Sequence, residues 1–105
     1  MSLEQFRDLL LTITENVHHL EAYQETDEEY IIWQERGGNS LYGDGVRCET
    51  AKKVQIDIYT TKEFSDLPER VMRLLETQDI ACKDPIPSYY TETKKMRYII
   101  ECEVL

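Results

Sequence analysis

Two runs of alternating apolar and polar residues, Lys53–Thr61 and Met96–Val104, constrain the fold of this chain more than any other feature. The apolar positions of the two runs are Val54, Ile56 and Ile58, then Met96, Tyr98, Ile100, Cys102 and Val104. Successive side chains of a β-strand point to opposite faces, so each run predicts a strand with one apolar face and one mainly polar face. We therefore expect a half-solvated sheet whose apolar face is covered by helices.

Length and charge limit the class of protein. A chain of 105 residues is expected to form a single domain, residues 1–105. No apolar run approaches the roughly 18 residues of a membrane span, and the N-terminus lacks the basic start of a signal peptide. The net charge of −9 argues against specific nucleic-acid binding or an anionic membrane as partner. We expect a protein made and folded in a cytoplasm.

The cysteines indicate a reduced protein. Cys48, Cys82 and Cys102 are an odd number, and they form no Cys-x-x-Cys pair. Cys102 falls in the apolar row of a predicted strand, where a thiol behaves as a small hydrophobic group. We expect all three thiols to be free and structural.

Two helices are predicted from residues that recur every three or four positions. The first has a capping-box pattern, Ser2 with Gln5, and is expected to run from there to about Leu20 or Ala22. Its apolar stripe is Leu3, Phe6, Leu9, Leu10, Ile13, Val17 and Leu20. The adjacent His18 and His19 would point to different faces of this helix, which does not fit a two-histidine metal site. The second helix begins within Ser65–Glu69, with Pro68 in its first turn, and ends near Thr77–Asp79. It is expected to bury Leu67, Val71, Leu74 and Leu75.

The remaining segments predict strands and one long loop. Glu29–Arg36 is the first strand, with apolar residues on both faces, so Trp33 belongs either to the core or to a partner surface. All four glycines lie in Gly37–Gly45, which we interpret as a hairpin arm over residues 37–49. Val46–Thr61 follows as one long strand or as two strands joined by a bend near Thr50–Lys52. Further strands are predicted at Ile80–Lys83 and Ser88–Thr93, separated by Asp84–Pro87, and the last of these forms a hairpin with Met96–Val104.

Together these patterns predict an α+β fold. The expected order is helix, strand, strand, helix, strand, strand. The expected sheet has four to five mostly antiparallel strands, with both helices packed on one face.

The chain shows no cluster of reacting groups. The two histidines are neighbours and no Gly-x-Ser-x-Gly turn occurs, so a nucleophilic triad is not predicted. Asp57, Glu101 and Glu103 project from the predicted solvated faces, where they could converge on a metal ion as in a nuclease. They lack metal-ligand spacing, so we expect no enzyme, no cofactor and no metal.

The order of these elements resembles the tail-terminator, or tail-completion, proteins of long-tailed bacteriophages and prophages. The residues that carry the resemblance are the N-terminal amphipathic helix, Tyr30–Glu35, the Gly-rich hairpin, Val54–Lys62, the helix Leu67–Leu75, and Tyr89–Thr93 leading to Met96–Val104. The strand that ends in Asp57-Ile58-Tyr59-Thr60, followed by a short acid-capped helix, is the most specific part. This resemblance extends over nearly the whole chain.

The resemblance implies a structural role in the virion. Such proteins form a ring, commonly a hexamer, on the last layer of the tail tube at the head–tail junction, where they stop tail growth and bind the head. The implied partners are further copies of the chain, the tail-tube protein and a head–tail connector protein. The candidate interface residues are Trp33, Gly37, Gly38, Asn39, Leu41, Tyr42 and Asp44. An acidic channel would let DNA pass without binding, and Asp57, Glu101 and Glu103 are the candidate channel residues.

A second interpretation is a small acidic interaction module, similar to an immunity or antitoxin protein, that blocks a basic partner. It requires the acids Glu25, Asp27, Glu28 and Glu29 to form one patch with Glu101 and Glu103.

Overall fold

A computed structural model describes residues 1–20, 29–36, 52–91 and 94–104 of the chain. These residues form two helices and six strands, which confirms the α+β class. The elements are α1 (Leu3–Leu11), β1 (Val17–His19), β2 (Glu29–Glu35), β3 (Lys52–Thr60), α2 (Leu67–Thr77), β4 (Ala81–Cys82), β5 (Ile86–Tyr90) and β6 (Lys95–Val104). The predicted hairpin arm, residues 37–49, lies outside the described residues.

The strands form one mixed sheet in the order β1-β2-β3-β6, and both β4 and β5 pair with the other edge of β6. All pairings are antiparallel except β1 with β2. The sheet is therefore mostly antiparallel, as predicted. It has six strands, however, and the predicted four to five was too few.

The additional strand is β1, which replaces the second half of the predicted first helix. Helix α1 begins at the expected capping box but ends at Leu11. The residues that follow are mostly β-branched or Asn, which have low helix propensity. Asn16 instead accepts a hydrogen bond from the Ile31 N–H, and Val17–His19 pairs in parallel with Ile31–Trp33. His18 and His19 consequently point to opposite faces of a sheet and not of a helix.

Both helices pack into one hydrophobic core on one face of the sheet. Phe6 and Leu10 of α1 and Leu67, Val71 and Leu75 of α2 are buried in the same cluster as the sheet residues Ile31, Trp33, Val54, Ile56, Ile58, Ile100, Cys102 and Val104. The Phe6 ring meets the Trp33 ring edge-on, with centroids 5.7 Å apart. The alternation read from the two strand runs thus identifies the core face.

The edge formed by β4 and β5 is irregular. Cys82 lies opposite Cys102 and Ile86 lies opposite Ile99, so the two pairings differ by one residue. The extra residue lies in the segment 83–85, which makes this segment a β-bulge. The predicted interruption at Asp84–Pro87 was too long, because Ile86 and Pro87 already belong to β5.

Pro87 occupies the position on this edge that a proline tolerates. The Lys83 N–H donates to the Glu101 carbonyl, so the odd-numbered residues of β6 direct their backbone groups toward β4 and β5. Ile86, Ser88 and Tyr90 pair with such residues. Pro87 and Tyr89 therefore direct their backbone outward, where the missing N–H of Pro87 breaks no ladder bond.

No helix among the described residues is both long enough and apolar enough to cross a bilayer.

Candidate interaction surface

The sheet face opposite the helices is less solvated than the sequence predicts. Tyr30, Gln55 and Asp57 lie on this face, yet each is at most 5% exposed. The Tyr30 and Tyr59 rings stack with centroids 4.9 Å apart. The ammonium of Lys95 lies 4.7 Å from the Tyr30 ring centroid. The expectation of an open polar face is wrong for the middle of the sheet, because these long side chains cover it.

Arg97 and Asp57 form the charged pair at the centre of this face. The Arg97 Nη2 donates to Asp57 Oδ2 over 3.1 Å, and its Nη1 donates to the Tyr90 hydroxyl over 2.8 Å. Gln55 Nε2 donates to Asp57 Oδ1 over 2.9 Å, while the Arg36 guanidinium donates to Gln55 Oε1. This network joins Arg36, which directly follows β2, to β3, β5 and β6, so it fixes the β5–β6 hairpin against β3.

The ionisation of the network is set by competing effects. Burial alone would lower the pKa of Arg97, but its bonds to Tyr90 and Asp57 raise that pKa above its ordinary value. Burial raises the pKa of Tyr59, and the nearby Asp57 carboxylate raises it further, although Arg97 opposes both. Arg97 is therefore a permanent cation and Tyr59 a neutral phenol near neutral pH.

The three candidate channel acids share this face but differ in environment. Asp57 is 4% exposed and paired with Arg97, so its prediction as a solvated acid is wrong. Glu101 is partly exposed and its carboxylate lies 3.3 Å from the Lys83 ammonium. Glu103 is exposed. The prediction failed for Asp57 because its partner is 40 residues away in the chain.

The acidic patch required by the second interpretation is not continuous in the described residues. Glu29 pairs with Thr60 at one end of β3, whereas Glu103 pairs with Lys53 at the other. Seven residues of strand separate these two positions, or roughly 23 Å. Glu25, Asp27 and Glu28 lie outside the described residues.

Glu29 instead anchors the turn that follows β3. It accepts hydrogen bonds from Thr60 Oγ1 over 3.0 Å, from Lys62 Nζ over 3.2 Å and from the Ser65 hydroxyl. Burial by itself would raise the pKa of Glu29, but these bonds outweigh it and hold the pKa below its ordinary value. The ionised carboxylate therefore stabilises the segment that leads into α2.

Trp33 lies in the core and not on a partner surface. It is 4% exposed, and its ring stacks on His19 with centroids 4.2 Å apart. The structure thus shows the core alternative, and the prediction of Trp33 as an interface residue is corrected. The other candidate interface residues, Gly37, Gly38, Asn39, Leu41, Tyr42 and Asp44, lie outside the described residues.

The structure shows a different set of exposed apolar side chains. Phe64, in the turn between β3 and α2, is 90% exposed. On strand β5, Ile86 and Tyr90 are 56% and 39% exposed on one face of the sheet, and Tyr89 is 54% exposed on the other face. Thr60, Met96 and Tyr89 form one row across the sheet, so the turn containing Phe64 begins at the same end of the sheet as Tyr89.

No sequence pattern singles out Phe64 as a surface residue. It belongs to no apolar stripe or alternating run, since Lys62, Glu63, Ser65 and Asp66 surround it. The only indication of its exposure in the sequence is that a single aromatic residue lies in an otherwise polar turn.

A metal site is not found within the described ranges. They contain no group of three or more His, Cys, Asp or Glu residues placed to hold a metal ion.

No protein-family model, no curated protein sequence and no solved structure matches this chain.

Proposed function

We propose that this protein is a virion structural protein that forms a ring at the end of a phage tail tube. The ring, a hexamer in this proposal, stops tail growth and provides the surface to which the head attaches. It lies at the head–tail junction, between the tail-tube protein and the connector protein. The observation that carries this proposal is the 90% exposure of the Phe64 ring, in a turn that begins at the end of the sheet where the exposed Tyr89 lies.

Exposed aromatic side chains of this kind support a role in protein association. Aromatic residues are enriched among the residues that dominate binding energy at protein interfaces. A soluble monomer gains nothing from leaving a phenylalanine ring almost fully hydrated, because its burial is worth about 1.5–3 kcal/mol. In the proposed ring, a contact with another copy of the chain at this end of the sheet buries Phe64 together with Tyr89.

The charge of the chain also supports the proposal. In the ring, Glu101 and Glu103 line the channel, while Asp57 takes no part because Arg97 neutralises it. A net charge of −9 repels DNA phosphates and keeps the passing genome from binding.

The decisive experiment is deletion of the gene from the phage or prophage that encodes it. Electron microscopy is then expected to show tails of uncontrolled length without attached heads, and the wild-type gene is expected to restore normal particles. Tails of normal length carrying heads would contradict the proposal.

A biochemical test uses the purified chain. Native mass spectrometry is expected to show rings, at high concentration or after addition of tail tubes. A chain that remains monomeric under both conditions and does not bind tail tubes would contradict the proposal.

A further inference from the structure

Cys82 and Cys102 lie directly opposite each other on neighbouring strands. Cys82 is on β4 and Cys102 on β6, and their positions pair in the antiparallel register. Both residues also line a groove of about 540 Å³ at this end of the sheet. The two cysteines are therefore neighbours, and the partly exposed Cys82 is the one that a small reagent can reach.

The hydrogen-bond pattern shows which kind of cross-strand pair they form. Lys83 N–H donates to the Glu101 carbonyl, so the adjacent Cys82–Cys102 pair is the non-hydrogen-bonded type. The Cα atoms of such pairs lie about 4.5 Å apart and their side chains approach closely. Disulfides form between Cα atoms about 4.4–6.8 Å apart, so this pair needs little backbone movement to be bridged.

We propose that Cys82 and Cys102 form a cross-strand disulfide in the folded protein when a small-molecule disulfide such as oxidised glutathione is present. The bond would join β4 covalently to β6. It depends only on the β4–β6 pairing and is independent of the proposed ring.

The reaction consists of two thiol–disulfide exchanges. The Cys82 thiol loses its proton, attacks oxidised glutathione, and forms a mixed disulfide while one glutathione leaves as a thiol. The Cys102 thiolate then attacks the Cys82 sulfur and releases the second glutathione thiol. Two protein thiols are oxidised, and one glutathione disulfide is reduced to two thiols.

Cys82 reacts first because it is the more accessible thiol. Cys102 is only 4% exposed, whereas Cys82 is partly exposed. Burial raises the pKa of Cys82, and Glu76 and Asp84 raise it further. Burial and then the neighbouring Cys82 raise the pKa of Cys102 to about 12. The charged residues that line the nearby groove are Arg36, Lys53, Lys83, Glu101 and Glu103. Because the pKa values of both thiols are raised, the reaction is slow at neutral pH and faster in alkali.

The test measures free thiols in the full chain after incubation with oxidised glutathione at mildly alkaline pH. A Cys48→Ser variant contains only the two thiols of interest. After acid quenching, denaturation and alkylation, we expect an unalkylated chain about 2 Da lighter than the reduced form. Peptide mapping of the wild-type chain is expected to identify the same Cys82–Cys102 link, so the result does not depend on the folding of the variant.

The matched control is Cys48→Ser/Cys82→Ser, which has one thiol and can form no internal bond. It is expected to keep that thiol or to carry a single glutathione. The proposal is overturned if the Cys48→Ser chain keeps two alkylatable thiols, carries two glutathiones, or forms only intermolecular disulfides while the urea-unfolded chain is oxidised by the same reagent.

Discussion

Arg97 is the residue on which the polar face of the sheet depends most. Its side chain is 23% exposed, and the Asp57 side chain that it neutralises is 6% exposed. Replacing Arg97 with Met would leave a buried carboxylate without its counter-charge. We expect Arg97→Met to lower the free energy of unfolding by about 3 kcal/mol, measured by urea denaturation.

Two further variants test whether this loss comes from the pair. The double variant Asp57→Leu/Arg97→Met is expected to lose much less than the sum of the two single variants, because no unpaired charge remains. Arg73→Met removes an exposed ion pair with Glu69 and is expected to cost under about 0.5 kcal/mol. Equal losses for Arg97→Met and Arg73→Met would contradict the role given to the network.

Glu29 makes the free energy of unfolding depend on pH, and the direction of this dependence can be predicted. Its pKa in the folded state is lower than the ordinary value of 4.5. A lowered folded-state pKa adds stability above the unfolded-state pKa, and this stability is lost as the pH falls through the folded-state pKa. Glu29→Gln is therefore expected to be less stable than wild type at neutral pH, by about 1 kcal/mol, and equal to it in strong acid. Urea denaturation across this range measures the difference.

The control for Glu29 is Glu63→Gln, which removes an exposed carboxylate in the same turn and is expected to change stability little. A difference between Glu29→Gln and wild type that is the same at every pH would show that the carboxylate charge is not responsible.

At the scale of the elements, the short helix α1 depends on its N-terminal cap. Ser2 Oγ accepts a bond from Gln5 N–H over 3.1 Å, and Gln5 Oε1 accepts one from Ser2 N–H over 2.8 Å. A helix of 9 residues is not stable by itself, so the cap and the burial of Phe6 and Leu10 must hold it. We expect Ser2→Ala to cost about 1 kcal/mol in urea denaturation.

Ser2→Asp serves as the matched control, because its carboxylate also accepts from the first-turn N–H groups and is favoured by the helix dipole. It is expected to retain the stability of the wild type. The capping role is wrong if the Ala and Asp variants lose stability equally.

The sequence could predict those elements whose pattern is local. The strands around Ile56 and Ile100 and the helix containing Val71 are predictable because alternation and three-and-four spacing are set by near neighbours. The strand around Ile31 is predictable from its run of β-forming residues. Helix α1 was predicted too long because Val17 fits a helical stripe as well as a strand. Val17 forms a strand because it pairs with β2, and near neighbours in the sequence do not reveal this contact.

The site was less predictable than the fold for the same reason. Nothing near Asp57 in the sequence indicates that Arg97 covers it. The exposure of Phe64 and the burial of Trp33 depend on where the turn and the helix lie in three dimensions. The candidate acids were correctly assigned to one face, since that follows from strand alternation, but their accessibility did not follow from it.

At the scale of the whole molecule, substitution of Phe64 tests the proposed assembly separately from folding. We expect Phe64→Ser to change the free energy of unfolding by less than about 0.5 kcal/mol, because the ring is 90% exposed. The same variant is expected to weaken ring formation and tail-tube capping, measured by native mass spectrometry and by tail length in electron microscopy.

Leu11→Gln is the control for this experiment, since it removes an exposed apolar side chain, 41% accessible, from helix α1. It is expected to assemble normally. If Phe64→Ser assembles as well as Leu11→Gln and wild type, the Phe64 ring takes no part in the interface.

The bulge at residues 83–85 and the outward position of Pro87 determine how copies of the chain can meet. Within β5 the only amide hydrogen directed away from the sheet belongs to Tyr89. At this edge a neighbouring chain therefore cannot add a continuous strand, which is how open-ended fibrils grow. In the proposed ring, a contact along this edge therefore relies mainly on side chains, and a contact of that kind can close after a fixed number of subunits.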